Sequence, residues 1–503
     1  MRLSLRIRRI PLGLFASVLG AYALSAYWGI RSVDGEVLYR TAESLALEGD
    51  FSITPVELWP EFGVAQGRDG QAYSKYGPAL PLIAAPVAWL ATHVTPTEGV
   101  NWPGPSFWIS GGLGALNARR PPPDGAAHFR RGLVSAVNLL LSALAVLALW
   151  SLLIRLQVQP GAANLTAILF AFGTPLFAYS STFLAEPLLT LCVLRCCDGL
   201  IEAHRTKRAR HLFASGLWLA LALVTHITAF LWVPFLAMSS WIAASQDGRR
   251  PRSAALAGFA LPVVIAVAGL VVFDLVRFGH AFGAGRPVED FEFGAPWVNL
   301  GPVLWSWGKG LFVFCPALIA SLAAWPLLVR CIGPMAWILL SGVAARILLF
   351  SSFHDWHGGL GPGPRYLLPE IGLLMVPAGL LLGRWLRRGG AFCAAAIGLA
   401  CLCILQQTWL VIGELFSWCD YWSRFFQARG GDVLMEDALY LDRLFSPWQI
   451  GYLLHNTGPA TLRALQLGAG TAYLLWGFTL CSIAVGAVVF TSRAQRAAQT
   501  RSR

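Results

Sequence analysis

Asp34, Gly35 and Glu36 open the stretch DGEVLYRTAESLALEGD, which gathers Asp34, Glu36, Glu43, Glu48 and Asp50 in a chain of which only 13% is charged. The stretch follows an apolar run from Ile10 to Ile30, so its carboxylates stand at a membrane exit, within reach of a lipid-linked substrate. With Gly35 leaving the backbone free to turn, Asp34 and Glu36 offer a general base, a metal ligand or both. A structural use competes. Asp34 suits the N-cap of the following helix, and a capping carboxylate can still present an oxygen to substrate.

Other polar residues stand at the ends of apolar runs. Glu186 begins one, in SSTFLAEPL, and a carboxylate at an intramembrane helix start is costly enough to suggest function. Its alternative use is to satisfy free N–H groups ahead of Pro187. Lys75 lies between Tyr73 and Tyr76 in YSKYGP, which suits either a phosphate head group beside an apolar tail or an interfacial anchor. Lys309, between Gly308 and Gly310, precedes an apolar run where the helix dipole favours an anion, so lysine and free N–H groups together would hold phosphate. The densest polar cluster is HDWHGGLGPGPRY, carrying His354, Asp355, His357, Arg365 and Tyr366. Its Arg365 can grip phosphate oxygens bidentately. His354 and His357 have the chemistry of metal ligands, but their spacing in a glycine-rich turn fits hydrogen bonding better. His226 reads as a satisfied core histidine.

The elements that must position these residues follow from composition. The chain has 503 residues, is 56% hydrophobic and has a mean hydropathy of +0.59. With repeated apolar runs of about twenty residues, this gives an all-α polytopic membrane protein and excludes a soluble multidomain enzyme. The net charge of +12 comes from arginines in short segments between apolar runs, the pattern of cytoplasmic loops and not of a nucleic-acid surface. Most of the ten cysteines, among them Cys192, Cys196, Cys197 and Cys403, fall in apolar runs and read as small hydrophobes.

Arg2, Arg6, Arg8 and Arg9 precede the first run, so the N-terminus is expected in the cytoplasm and the run, too long for a signal peptide core, is a retained anchor. The segment 78–94 decides the topology. If it lies in the outer interface, the basic clusters at 205–210, 249–252, 384–388 and the C-terminus all fall inside, as the positive-inside rule requires. Arg119, Arg120, Arg130 and Arg131 then remain outside as exceptions. This arrangement gives about twelve helices, near 10–30, 132–154, 164–182, 186–201, 212–225, 228–245, 254–274, 309–329, 332–350, 366–386, 391–412 and 468–490, in one membrane domain over 1–503. The region 212–245 would be about 51 Å long as one helix, so a turn is expected near His226. Both termini are cytoplasmic, in the cytoplasmic (inner) membrane, and the outer face collects the loops 31–131, with interfacial helices, and 413–467. A cysteine at Gly111 should label from the outer side and one at Ser245 from the inner side; labelling of both from one side would overturn this parity.

The segments DGEVLYRTAESLALEGDFSI, YSKYGPALPLIAAP, GTPLFAYSSTFLAEPL, WSWGKGLFVFCPAL and WHGGLGPGPRYLLP, in this order, resemble the GT-C membrane glycosyltransferases, in particular relatives of the protein O-mannosyltransferases and the lipid A aminoarabinose transferase. The resemblance implies inverting transfer of one sugar from a polyprenyl-phosphate donor to a glycan, lipid or protein acceptor on the outer face. It implies a catalytic base at Asp34, or at Glu36 since Gly35 separates residues that are adjacent in many relatives, and a site residue at Glu186. Lys75, Tyr76, Lys309, His354, Asp355, His357, Arg365 and Tyr366 are the substrate-binding candidates. Lys309, Arg365, Lys75 or a bound divalent cation (Mg or Mn) would neutralise the departing phosphate. Outer-face tryptophans such as Trp297, Trp305 and Trp356 can stack on sugar faces or anchor the interface. The competing functions are a polyprenyl-lipid or sugar-lipid transporter, which the absence of an internal repeat disfavours, and a glycan ligase or polymerase.

Overall fold

The computed structural model describes residues 2–26, 28–30, 32–53, 63–95, 125–244, 252–281, 293–306, 309–353, 356–358, 363–412 and 474–486. His354, Asp355 and the expected outer loop 413–467 lie outside the described residues. Helix α1 (Arg2–Ser25) leads to α2 (Val33–Leu47), then a hairpin of β1 (Val64–Gln66) and β2 (Ala72–Ser74), and α3 (Ala79–Val94). The chain continues through α4 (Gly125–Arg155), α5 (Pro160–Phe172), α6 (Leu176–Ser180), α7 (Glu186–Thr206), α8 (Ala209–Thr225), α9 (Val233–Ala244) and α10 (Arg252–Phe278). It ends with α11 (Pro296–Trp305), the short α12 (Leu311–Phe314), α13 (Ala317–Ala323) and α14 (Trp325–Ile332), then α15 (Pro334–Ser352), α16 (Leu368–Arg388), α17 (Gly390–Ile412) and α18 (Leu474–Gly486).

Among the described residues, six helical segments are long and apolar enough to cross a membrane, and five shorter apolar helices accompany them. The protein is an all-α polytopic membrane protein; ten of these eleven segments fall on expected apolar runs and the eleventh is α3. Burial sorts them. The most apolar stretch of α16 is 83% buried and that of α4 72%, whereas that of α10 is 11% buried. Helices α4 and α16, with α5 and α7 packed between and around them, therefore form the centre, and α10 turns Leu261, Val264, Ile265 and Val272 outward, as a lipid-facing helix must.

Local chemistry explains the interruptions. Helix α8 stops at Thr225, His226 is extended (φ −154°, ψ 134°), and a 3₁₀ turn over Ile227–Trp232 leads into α9, so the chain does break at the expected place. The expected continuous helix 309–329 is instead three pieces. Pro316 and Pro326 each lack the N–H an interior helical residue donates and clash with the preceding turn, which ends α12 and restarts α14. The expected helix 164–182 breaks likewise at Gly173–Pro175.

The loop between α1 and α4 holds a hairpin as well as helices. Val64 pairs with Ser74 and Gln66 with Ala72 across the turn Gly67–Gly70. The Arg68 N–H donates to the Arg277 carbonyl at 2.8 Å, fastening the hairpin tip to the end of α10. The strand β2 thus delivers Lys75 and Tyr76 to a fixed place. Helix α3 packs on α2 and α4 and leaves Leu82, Ile83, Trp89, Leu90 and Val94 exposed.

Candidate active site

Asp34 does not cap its helix. Ser32 does, its hydroxyl accepting from the Gly35 N–H at 3.0 Å, and Asp34 is the second residue of α2. Its carboxylate is therefore released from the backbone and reaches across the fold. The Tyr76 hydroxyl donates to Asp34 Oδ1 at 2.7 Å, and Arg365 Nη2 donates to Oδ2 at 2.7 Å. Arg365 Nε also lies 3.5 Å from Glu186 Oε1. One guanidinium thus stands between two carboxylates that are distant in sequence, and the Tyr76 and Arg365 segments meet on Asp34.

Glu36 is two residues further along the same helix, about 200° around it, and points the other way. Arg131 of α4 grips it in a fork, Nη2 to Oε1 at 2.6 Å and Nε to Oε2 at 2.9 Å, and Arg40 adds a contact one turn along at 2.9 Å. Burial alone would raise the Glu36 carboxyl, but the two guanidiniums outweigh it and hold the group below its usual range. Arg131 is buried, so it is a partner within the fold and not a loop charge. That gives a partner to one of the arginines expected outside, against the positive-inside pattern.

Gly35 separates the two acids for a packing reason, not to make a turn. A Cβ there would meet the Ser32 hydroxyl at 2.8 Å and the Phe183 carbonyl at 2.9 Å, so only glycine lets α2 lie against the turn that leads to Glu186. Asn138 secures that turn by donating to the Thr182 and Leu184 carbonyls. Gly77 plays the same part on the other side: a Cβ would meet the Val224 carbonyl at 2.3 Å, which presses the Lys75–Tyr76 segment against the end of α8.

That segment lines a cleft of about 640 Å³, open mouth included, bounded by Lys75, Tyr76, His226, Asp274 and Arg277 at its polar end and by Leu223, Phe230, Val267 and Leu270 along its walls. Arg277 is held by Asp274 at 2.8 Å and donates to the Ser74 carbonyl at 3.1 Å. The ionised groups of this end, Lys75, Arg277 and Asp274, leave one net positive charge beside an apolar channel. Arg277 and Asp274 escaped sequence reasoning, although a charged pair three residues apart within the apolar run of α10 was a visible signal. His226 joins the cleft wall, with its ring nitrogen Nδ1 2.8 Å from the Thr228 hydroxyl.

A second, smaller cavity is lined by Lys309, Trp356, His357, Pro364 and Tyr366. Lys309 is only 2% exposed. The helix it precedes has four residues, too short for the dipole-assisted phosphate site its sequence position suggested. Tyr366 stacks on Phe350 with ring centroids 5.0 Å apart and lies under the Arg365 guanidinium, also at 5.0 Å. Of the tryptophans, Trp356 lines this cavity, while Trp297 and Trp305 are exposed as interfacial residues are.

No group of three or more His, Cys, Asp or Glu among the described residues forms a cation site. Asp274, which lines the cleft, pairs with Arg277, and Asp34 and Glu186 both face Arg365.

No protein-family model and no curated protein matches the sequence. Among solved structures, the chain resembles ArnT from Cupriavidus metallidurans. In its apo state the TM-score is 0.50 at 13% identity, over 97% of this chain and 78% of that one. For the same protein bound to undecaprenyl phosphate the TM-score is 0.48 at 13% identity, over 95% and 77%. The chain thus shares the fold of apo ArnT.

Proposed function

We propose that this protein is a membrane glycosyltransferase that moves one sugar from a polyprenyl-phosphate donor to an acceptor on the outer face of the inner membrane, with Asp34 as general base. The observation that carries this reading is the Asp34 carboxylate held between the Tyr76 hydroxyl and the Arg365 guanidinium, next to a cleft with a cationic end and apolar walls. The fold shared with apo ArnT supports the class; donor, acceptor and sidedness rest on the residues of this chain.

A carboxylate accepts at about four lone-pair positions, and the bonds from Tyr76 and Arg365 orient that of Asp34. The acceptor oxygen attacks the anomeric carbon from the face opposite the phosphate. Its proton passes to Asp34, the new C–O bond forms, and the bond to phosphate breaks with its electron pair leaving on the polyprenyl phosphate. That leaving group is a stabilised anion and needs charge neutralisation more than a strong acid. Lys75 and Arg277 at the end of the apolar cleft suit the phosphate, and Arg365 suits the negative charge that develops on the oxygen leaving the anomeric carbon. Glu186 holds the far side of Arg365 and sets its orientation. The acceptor is a glycan, lipid or protein hydroxyl or a similar nucleophile. His357, Lys309 and Tyr366 belong to the neighbouring small cavity and would border the sugar side of the site.

The test uses the purified protein in liposomes with a polyprenyl-monophosphate hexose or pentose carrying a labelled sugar, and a membrane extract as acceptor. Release of polyprenyl phosphate and movement of label into the extract are expected. Intact donor appearing on the opposite leaflet would overturn the reading in favour of transport. Separately, Lys75→Ala should weaken binding of undecaprenyl phosphate by about 10- to 100-fold, since a charge-assisted hydrogen bond contributes about 1.5–3 kcal/mol. Native mass spectrometry across a lipid titration reads this, and unchanged affinity would place the phosphate elsewhere.

A further inference from the structure

Arg346 of α15 and Glu370 in the first turn of α16 form an ion pair inside the protein, with 1% and 0% of their surfaces exposed. Arg346 Nε donates to Glu370 Oε1. The rest of the guanidinium is used on the backbone: Nη1 donates to the Thr228 carbonyl at 2.6 Å and Nη2 to the Tyr366 carbonyl at 3.3 Å. These carbonyls belong to two turns. One follows His226, whose ring Nδ1 accepts from the Thr228 N–H at 3.2 Å and lines the large cleft. The other carries Arg365, the residue that meets Asp34.

Net stability is a weak reason for such a pair, because replacing a buried ion pair by well-packed apolar residues is often neutral or stabilising. Geometry is the better reason. A planar guanidinium has donors in a fixed fork, and only that fork reaches a carboxylate and two separate carbonyls at once. We propose that Arg346, oriented by Glu370, is a positioning residue that holds the His226 and Arg365 turns in one frame, so that Arg365 meets Asp34 at the edge of the cleft. Its bearing on sugar transfer rests on the function proposed above; its bearing on the Arg365–Asp34 contact does not.

The test is the double variant Arg346→Met/Glu370→Leu in the full chain, which removes both charges and strands neither. The expected result is a protein that melts near the wild type, with Arg365 displaced from Asp34 in a cryo-electron microscopy structure. Its kcat should fall about 100-fold, the order of loss that a 1 Å misplacement causes, while KM for the donor changes little. Arg346→Lys is the second variant. It keeps a cation for Glu370 but cannot span both carbonyls, so it should fold, shift the Arg365 turn and recover transfer only in part. If Arg365 stays on Asp34 in both variants, the proposal is overturned. A displaced Arg365 in a protein whose wild type transfers no sugar would uphold the positioning role and reject the proposed function.

Discussion

Asp34→Asn should abolish sugar transfer, by about 10²–10⁴-fold in kcat, the usual contribution of a general base, and leave a folded protein that still binds polyprenyl phosphate. The helix does not depend on Asp34, because Ser32 provides its cap. Asparagine keeps the shape, and its oxygen can still accept from Tyr76. Its amide, however, takes no proton from the acceptor and turns a donor toward Arg365, which then has Glu186 as its remaining carboxylate. The lost ion pair is partly exposed at Asp34, so its stability cost is on the order of 1 kcal/mol or less. Single-turnover transfer measured beside thermal melting separates the two effects. Transfer at the wild-type rate would remove Asp34 from the chemistry, whatever the class of the enzyme.

The sequence made the membrane architecture readable because apolar runs, arginine clusters and prolines act locally. Each run can be recognised without knowing its neighbours, and the break at His226 followed from the length of 212–245 and the basic clusters on both its flanks. The breaks at Pro316 and Pro326 were equally local and were visible in the sequence, although the run 309–329 reads as one span on hydropathy. What was not legible is which charges pair. Asp34 and Arg365 are separated by most of the chain, and Glu36 meets Arg131 on a different helix, so no spacing rule connects them. Asp34 and Glu36 look equivalent in sequence; helix geometry sends them to opposite sides, one to Tyr76 and Arg365 and one into a buried pair with Arg131. Gly35 likewise shows its purpose only when the Phe183 carbonyl is seen beside it. The residues Arg346 and Glu370 passed unnoticed because each is a single charge in an apolar run, and only their contact gives them a role.

The pairing of Glu36 makes a second large effect expected, on stability. Glu36→Gln leaves the buried Arg131 guanidinium facing a neutral amide, and removing one partner of a buried pair costs about 3–5 kcal/mol. Against a total of about 5–15 kcal/mol for a typical folded protein, that is a large fraction, so a lower melting temperature and loss of monodispersity should follow. Arg40 cannot restore the balance, since it is itself a cation, contacting Glu36 and Glu43, and supplies no negative charge. The pH dependence has a definite sign. Because Arg131 and Arg40 hold the folded carboxyl below its unfolded value of about 4.3, the pair's stabilisation is fully present above that value and is lost as pH falls through the folded one. Wild-type melting should thus be insensitive to this group between pH 5 and 8 and decline in stronger acid. The double variant Glu36→Leu/Arg131→Met carries no orphan charge, so it should recover most of the melting temperature, lose this acid-dependent component and still transfer sugar. A Glu36→Gln protein that melts like the wild type would show that the pair does not hold α2 to α4. A stable double variant without activity would instead move the base from Asp34 to Glu36.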